Sequence, residues 1–158
     1  MVLGCRFTTF DILTSERLVR VPQSSQTRFT VDTGVIELPG SLGRDKTVDS
    51  ATLNLVASNL HPQNPVSVDI AVADVTGPNV FRPVATFDLE PRETRELRVV
   101  QTRPDDGLVR ATQSEAINIR FDLRSPAPGI GEMEFRFTVR VVAHKRTPGT
   151  GAGTLLFY

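Results

Sequence analysis

A chain of 158 residues with 39% apolar and 23% charged side chains can build one domain with its own core, and it is too apolar to be disordered. Its 18 basic and 18 acidic residues cancel, so the global basic excess that usually marks a nucleic-acid binder is absent. No apolar run approaches the roughly 20 residues of a membrane-spanning helix, and a single cysteine, Cys5, excludes a disulfide within the chain.

The predicted elements begin with short strands at residues 6–13, 17–21, 27–31 and 35–38. Residues 40–47 read Gly-Ser-Leu-Gly-Arg-Asp-Lys-Thr, close to the phosphate-binding G-x-x-x-x-G-K-T. Asp45 stands where that motif needs glycine, and its carboxylate would repel the phosphates, so a plain surface loop is expected. Residues 51–57 and 66–75 are predicted as a strand pair, with Val66, Val68, Ile70 and Val72 on one face of the second and a short helix as the alternative for the first. Between them, His-Pro-Gln-Asn-Pro at 61–65 cannot continue either element.

Further strands are predicted at 84–89 and 94–100, preceded by a loop in which Phe81 is the one aromatic expected to be exposed. Pro-Asp-Asp-Gly at 104–107 is a strong turn signal, since proline presets φ and glycine accepts a positive one. Residues 116–123 place Ile117, Ile119, Phe121 and Leu123 on one face. In 132–143, Met133, Phe135, Phe137, Val139, Val141 and Ala143 share a face, a period that no helix fits. These two strands are expected to pair through the breaker-rich loop at 125–131, with Phe135 and Phe137 buried. No ten-residue stretch has a helical pattern.

Nine or ten short strands at regular spacing indicate an all-β antiparallel β-sandwich, and a jelly roll is one arrangement that accommodates them. The division expected is an N-terminal arm at 1–10, the sandwich domain at 11–144, and a flexible spacer with an apolar docking segment at 145–158. Gly149, Gly151 and Gly153 make the spacer flexible by composition. After it come Leu155, Leu156, Phe157 and Tyr158, an aliphatic–aromatic cluster that would be an aggregation liability if left in water. These four residues are the candidate protein interface. They are expected to dock on a neighbour, with docking on the parent sandwich as the other possibility.

Chemistry has little to work with. His61 lies in a proline-flanked loop and His144 at the end of the longest strand, and neither carries a catalytic signature. Cys5 has no basic neighbour except Arg6 and reads as inert. Asp69 and Asp122 fall on polar strand faces, Asp105 and Asp106 in a turn, and no calcium-loop pattern occurs. No catalytic residue, cofactor or metal is therefore expected, and the chain is not read as an enzyme. The 16 arginines against two lysines, Lys46 and Lys145, match interface composition, and codon bias would have the same effect.

The function expected is a non-catalytic viral structural protein, a bacteriophage being the favoured source: a capsid decoration (cement) protein, or a small coat or tail subunit. Its partners would be itself, as a homo-oligomer, and a larger capsid or tail assembly, with no nucleic acid and no membrane. Its place would be the virion, after folding in the host cytoplasm. The alternative is a carbohydrate- or other ligand-binding module, weakened by the lack of any Trp and by a single Tyr, Tyr158, for stacking sugar rings.

Overall fold

The alternation read from the sequence is realised as nine strands and one short helix among the described residues, which are 6–38, 45–75, 80–126 and 129–147 of the computed structural model. In chain order these are β1 (Arg6–Leu13), β2 (Arg17–Val21), β3 (Arg28–Glu37), β4 (Thr47–Asn59), β5 (Val66–Asp74), β6 (Arg82–Leu89), β7 (Thr94–Gln101), α1 (Gly107–Thr112), β8 (Ala116–Arg124) and β9 (Met133–Thr147). The strands form two antiparallel sheets packed as a sandwich.

In the five-stranded sheet, β9 has β4 along one side and β1 and β2 end to end along the other, with β7 outside β4. The four-stranded sheet has the order β3-β8-β5-β6. At the break between β1 and β2, buried Thr14 keeps the ladder satisfied. Its N–H donates to the Val139 carbonyl at 2.9 Å, and its Oγ1 accepts from Val139 N–H at 2.9 Å. Counted as one interrupted strand, β1 and β2 complete two sheets of four whose connections cross repeatedly between layers, which is the jelly roll.

Two pairings expected from sequence are corrected. Residues 116–123 do not pair with 132–143, nor 51–57 with 66–75. β8 lies between β3 and β5, whereas β9 and β4 pair with each other in the opposite sheet. In both cases the two consecutive strands fall in opposite sheets, so that their apolar faces meet across the core. Phe121 of β8 stacks on Phe135 of β9 across the core at 4.3 Å between centroids and 12° between planes, and Phe137 leans on Phe121 at 6.0 Å. A sandwich buries an apolar strand face in either arrangement, so the alternating pattern does not decide between them. Of the consecutive pairs, only β5 and β6 form a hairpin within one sheet.

The strands expected at 27–31 and 35–38 are one element, β3, bent by a bulge between Asp32 and Val35 in which Gly34 adopts φ 77°. Helix α1, absent from the sequence reading, buries Leu108, Val109 and Ala111 against the sandwich. The turn read at 104–107 falls at 103–106, with Asp106 N–H donating to the Arg103 carbonyl at 3.0 Å, and Gly107 does not adopt the positive φ expected of it but opens the helix. Residues 6–10, read as arm, pair with β9 as part of β1, and 145–147 complete β9. Residues 1–5 and 148–154 lie outside the described residues, as does the cluster at 155–158.

Candidate functional site

Leu155, Leu156, Phe157 and Tyr158, the predicted interface, lie outside the described residues, so the site is sought on the surfaces the sandwich presents. Its two outer faces differ sharply. On the four-stranded sheet, polar side chains satisfy one another. Thr30 Oγ1 donates to Asp122 at 2.6 Å, Arg120 Nε to Asp32 at 2.9 Å, and Arg124 to Asp69 at 2.8 Å. Thr86 Oγ1 also donates to Asp69 at 2.8 Å, and Ser67 Oγ to Asp88 at 2.6 Å. Asp69 and Asp122 sit directly opposite each other. That like-charge pair is tolerable because these donors neutralise it. Phe81, expected as an exposed loop aromatic, is half-buried, and one face of its ring is covered by the Arg120 guanidinium at 3.6 Å.

The outer face of the five-stranded sheet is built otherwise. Register places Phe7, Thr9, Asp11 and Leu13 of β1 beside Arg146, His144, Val142 and Arg140 of β9. Leu18 stands beside Arg136, and Val100 lies across β4 from Arg140, with Thr52 between them. Phe7 is 61% exposed, Leu13 59%, Val100 51% and Leu18 42%; these are four of the seven large exposed apolar side chains among the described residues. Half-buried Val56 and Val142 extend the set. Between them runs a groove. One part, of about 550 Å³, is lined by Asp11, Leu13, Asn54, Thr138 and Arg140. An adjoining part, of about 360 Å³, shares Asn54 and Thr138 and reaches Val56, Arg98 and Arg136.

Several of the charges on this face are paired, while Glu96 and Arg98 of β7 have no ion-pair partner among the described residues. Arg140 Nε donates to Asp11 at 2.8 Å, and its guanidinium reaches both carboxylate oxygens. This hydrogen bonding holds the Asp11 carboxyl below its ordinary pKa and raises that of Arg140. Arg136 lies 3.6 Å from Glu16, and Arg20 lies 3.9 Å from Glu134. The result is an apolar relief beside paired charges, a surface suited to another protein.

The histidines take separate places. His144 Nδ1 lies 2.8 Å from Asp49, and Phe7 packs edge-on against its ring at 5.4 Å. His61 Nδ1 accepts from the N–H groups of Gln63 (3.0 Å) and Asn64 (2.8 Å), which organises its loop. Lys46, from the phosphate-loop lookalike, is buried; its Nζ donates to the carbonyls of Gln113 (3.2 Å) and Ser114 (2.9 Å) just beyond α1. Among the described residues no three His, Cys, Asp or Glu side chains converge as a metal site.

Sequence reasoning missed the outer-face set, although a signal was present. β1 carries apolar residues at both parities, Phe10 and Ile12 inward and Phe7 and Leu13 outward, and such a strand has two faces to cover.

No family model and no curated protein sequence matches this chain. Among solved structures it is similar to a chain of the infectious bursal disease virus Gt strain, with 12% identity and a TM-score of 0.44 over 91% of this chain. It spans 35% of that chain's length. It is similar to Desmodium yellow mottle tymovirus, with 8% identity and a TM-score of 0.43 over 98% of this chain and 91% of the other. A CBM4 structure is similar at 17% identity and a TM-score of 0.35, over 87% of this chain and 94% of that one.

Proposed function

We propose that this chain is a non-catalytic structural subunit of a virus particle, a coat or decoration protein or a small tail component, that associates with copies of itself and with a larger particle. Its place is then the virion, and it works without cofactor, nucleic acid or membrane.

The observation that carries the reading is the contrast between the two outer faces. One is crossed by hydrogen bonds among its own side chains and leaves Val35 as its exposed large apolar residue; the other leaves Phe7, Leu13, Leu18 and Val100 in water beside paired charges. Covering one such side chain contributes on the order of 1–3 kcal/mol at about 25 cal/mol per Å², before ordering costs are subtracted. The virion assignment adds an analogy of architecture, a small jelly roll that presents one adhesive sheet face. Against the sugar-binding alternative stands Phe81, with one ring face already occupied by Arg120.

Sedimentation velocity and light scattering across a concentration series test the proposal. Oligomers or larger assemblies are expected, and Leu13→Asp should weaken association at least tenfold while leaving the β-sheet circular dichroism unchanged. A chain that stays monomeric to about 1 mM would sink the reading.

A further inference from the structure

A strand at the rim of a sheet has backbone groups to spare, and the rims of this sandwich are not finished alike. β6 carries Pro83 and a register shift opposite Ile70 and Ala71. β3 has its bulge at Gly34, and the rim formed by β1 and β2 is broken at Thr14. Such irregularities hinder an edge from pairing with another chain. β7 has none of them. Thr94–Gln101 contains no proline or glycine, keeps one register throughout, and among the described residues pairs only with β4.

Register shows which backbone groups of β7 stand open. Asn59 N–H donates to the Glu93 carbonyl at 2.9 Å, and the β4–β7 ladder continues from that pair without a shift. Alternation along an antiparallel ladder then commits Arg95, Leu97, Val99 and Gln101 to β4. It leaves the N–H and C=O of Thr94, Glu96, Arg98 and Val100 directed away from β4, in the plane of the sheet. The same four residues have exposed side chains, and Glu96 and Arg98 have no ion-pair partner among the described residues. Arg95, on the other side of the strand, is already held by Glu93 at 2.8 Å. Leu97 and Val99 on that side are half-buried, and a further strand would cover the flank that β4 does not reach.

The strand that fits this edge is β7 itself. For open groups to meet open groups along most of the strand, an antiparallel second β7 must be centred on Glu96, Leu97 or Arg98. Centring on Glu96 sets two carboxylates opposite each other, and centring on Arg98 sets two guanidinium groups opposite each other. Centring on Leu97 places Glu96 opposite Arg98 in both directions and Thr94 opposite Val100, and every open backbone group finds a partner. We infer that β7 pairs antiparallel with β7 of a second copy about a two-fold axis at Leu97, so that two five-stranded sheets continue as one. Backbone bonds and covered flanks supply the affinity, and the order of charges, which complements only its own reverse, selects the register and the partner. This contact rests on the assembly reading and lies at the rim of the sheet, apart from Phe7 and Leu13.

Charge reversal tests it on the full-length chain. Glu96→Arg and Arg98→Glu chains are followed by sedimentation velocity, each alone and the two mixed. Each alone sets like charges opposite one another on both sides of the axis, and its pairing should weaken at least tenfold. Mixed, the two chains are complementary throughout, and pairing should return; a misfolded chain would not be rescued in this way. In a Cys5→Ser background, Leu97→Cys chains should then link to one another under mild oxidation, because opposed residues at a non-bonded position lie about 4.5 Å apart at Cα. Their disulfide yield should exceed that of Thr94→Cys chains, whose cysteines would lie far from the axis, at least tenfold. Single reversals that pair as before, mixed chains that stay apart, or equal yields at Leu97→Cys and Thr94→Cys would each overturn the inference. If assemblies of the unsubstituted chain persist in those cases, the subunit reading stands and only this contact falls. If the unsubstituted chain is monomeric throughout, both fall.

Discussion

Asp11 illustrates how a single side chain serves both the sandwich and its surface. Its carboxylate takes both donors of the Arg140 fork, which ties β1 to β9 and leaves the neighbouring Leu13 free of competing charge. The hydrogen bonds lower the folded-state pKa of the carboxyl below the unfolded value of about 3.9. With the folded pKa depressed, the unfolded chain binds more protons across the acidic window. The stabilisation is complete above the unfolded pKa and is lost as pH falls through the folded one. Denaturant unfolding of the parent and of Asp11→Asn should show a stability difference that is full at pH 6 and closes as the pH is lowered below 4. Because the pair is exposed, 1 M salt should shrink that difference. A difference that stays constant from pH 6 to pH 2 would mean that Asp11 acts through packing and not through charge.

At the scale of elements, the stack of Phe121 on Phe135 is the most direct tie between the sheets, because its two rings come from β8 and β9 in opposite layers. A double-mutant cycle with Phe121→Leu and Phe135→Leu should give a coupling of about 0.5–1.5 kcal/mol beyond the two single losses. Additivity within about 0.3 kcal/mol would show that the rings act independently. The positions of most strands were legible in the sequence, because period two reports directly which side of a strand is apolar. Sheet membership was not legible. Phe121 and Phe135 look the same in sequence whether their strands lie side by side or face to face, and the loop at 125–131 permits either. Gly34 split β3 in the sequence reading because a bulge interrupts the period it was read from. Helix α1 went unseen because six residues are too few to display a 3.6-residue period. The candidate surface was hardest to read. Leu155–Tyr158 announced themselves as a linear cluster, whereas Phe7, Leu13, Leu18 and Val100 share a face only when β9 and β4 bring β1, β2 and β7 into register.

For the molecule as a whole, the crossing connections set the kinetics. The β4–β9 ladder pairs residues 47–59 with 133–144, and the β1–β9 ladder joins residues 6–13 to 140–147. Closing such loops costs chain entropy before any pairing repays it. Stopped-flow refolding should therefore have a principal phase between about 1 ms and a few seconds, apart from slower proline-limited phases. A principal phase faster than about 100 µs would mean that local structure, and not topology, controls the barrier.

The central place of β9 has a further consequence for a chain made from one end to the other. The four-stranded sheet has all its strands once residue 124 has been synthesised. Among the described residues β1 and β2 pair with no strand except β9. They are made before the other strands of the sandwich and wait through more than a hundred residues of synthesis for the strand that will hold them. During that interval Phe7, Phe10, Ile12 and Leu13 are an unclaimed sticky segment on a nascent chain, and on a polysome carrying many copies its neighbours are other unfinished copies of itself.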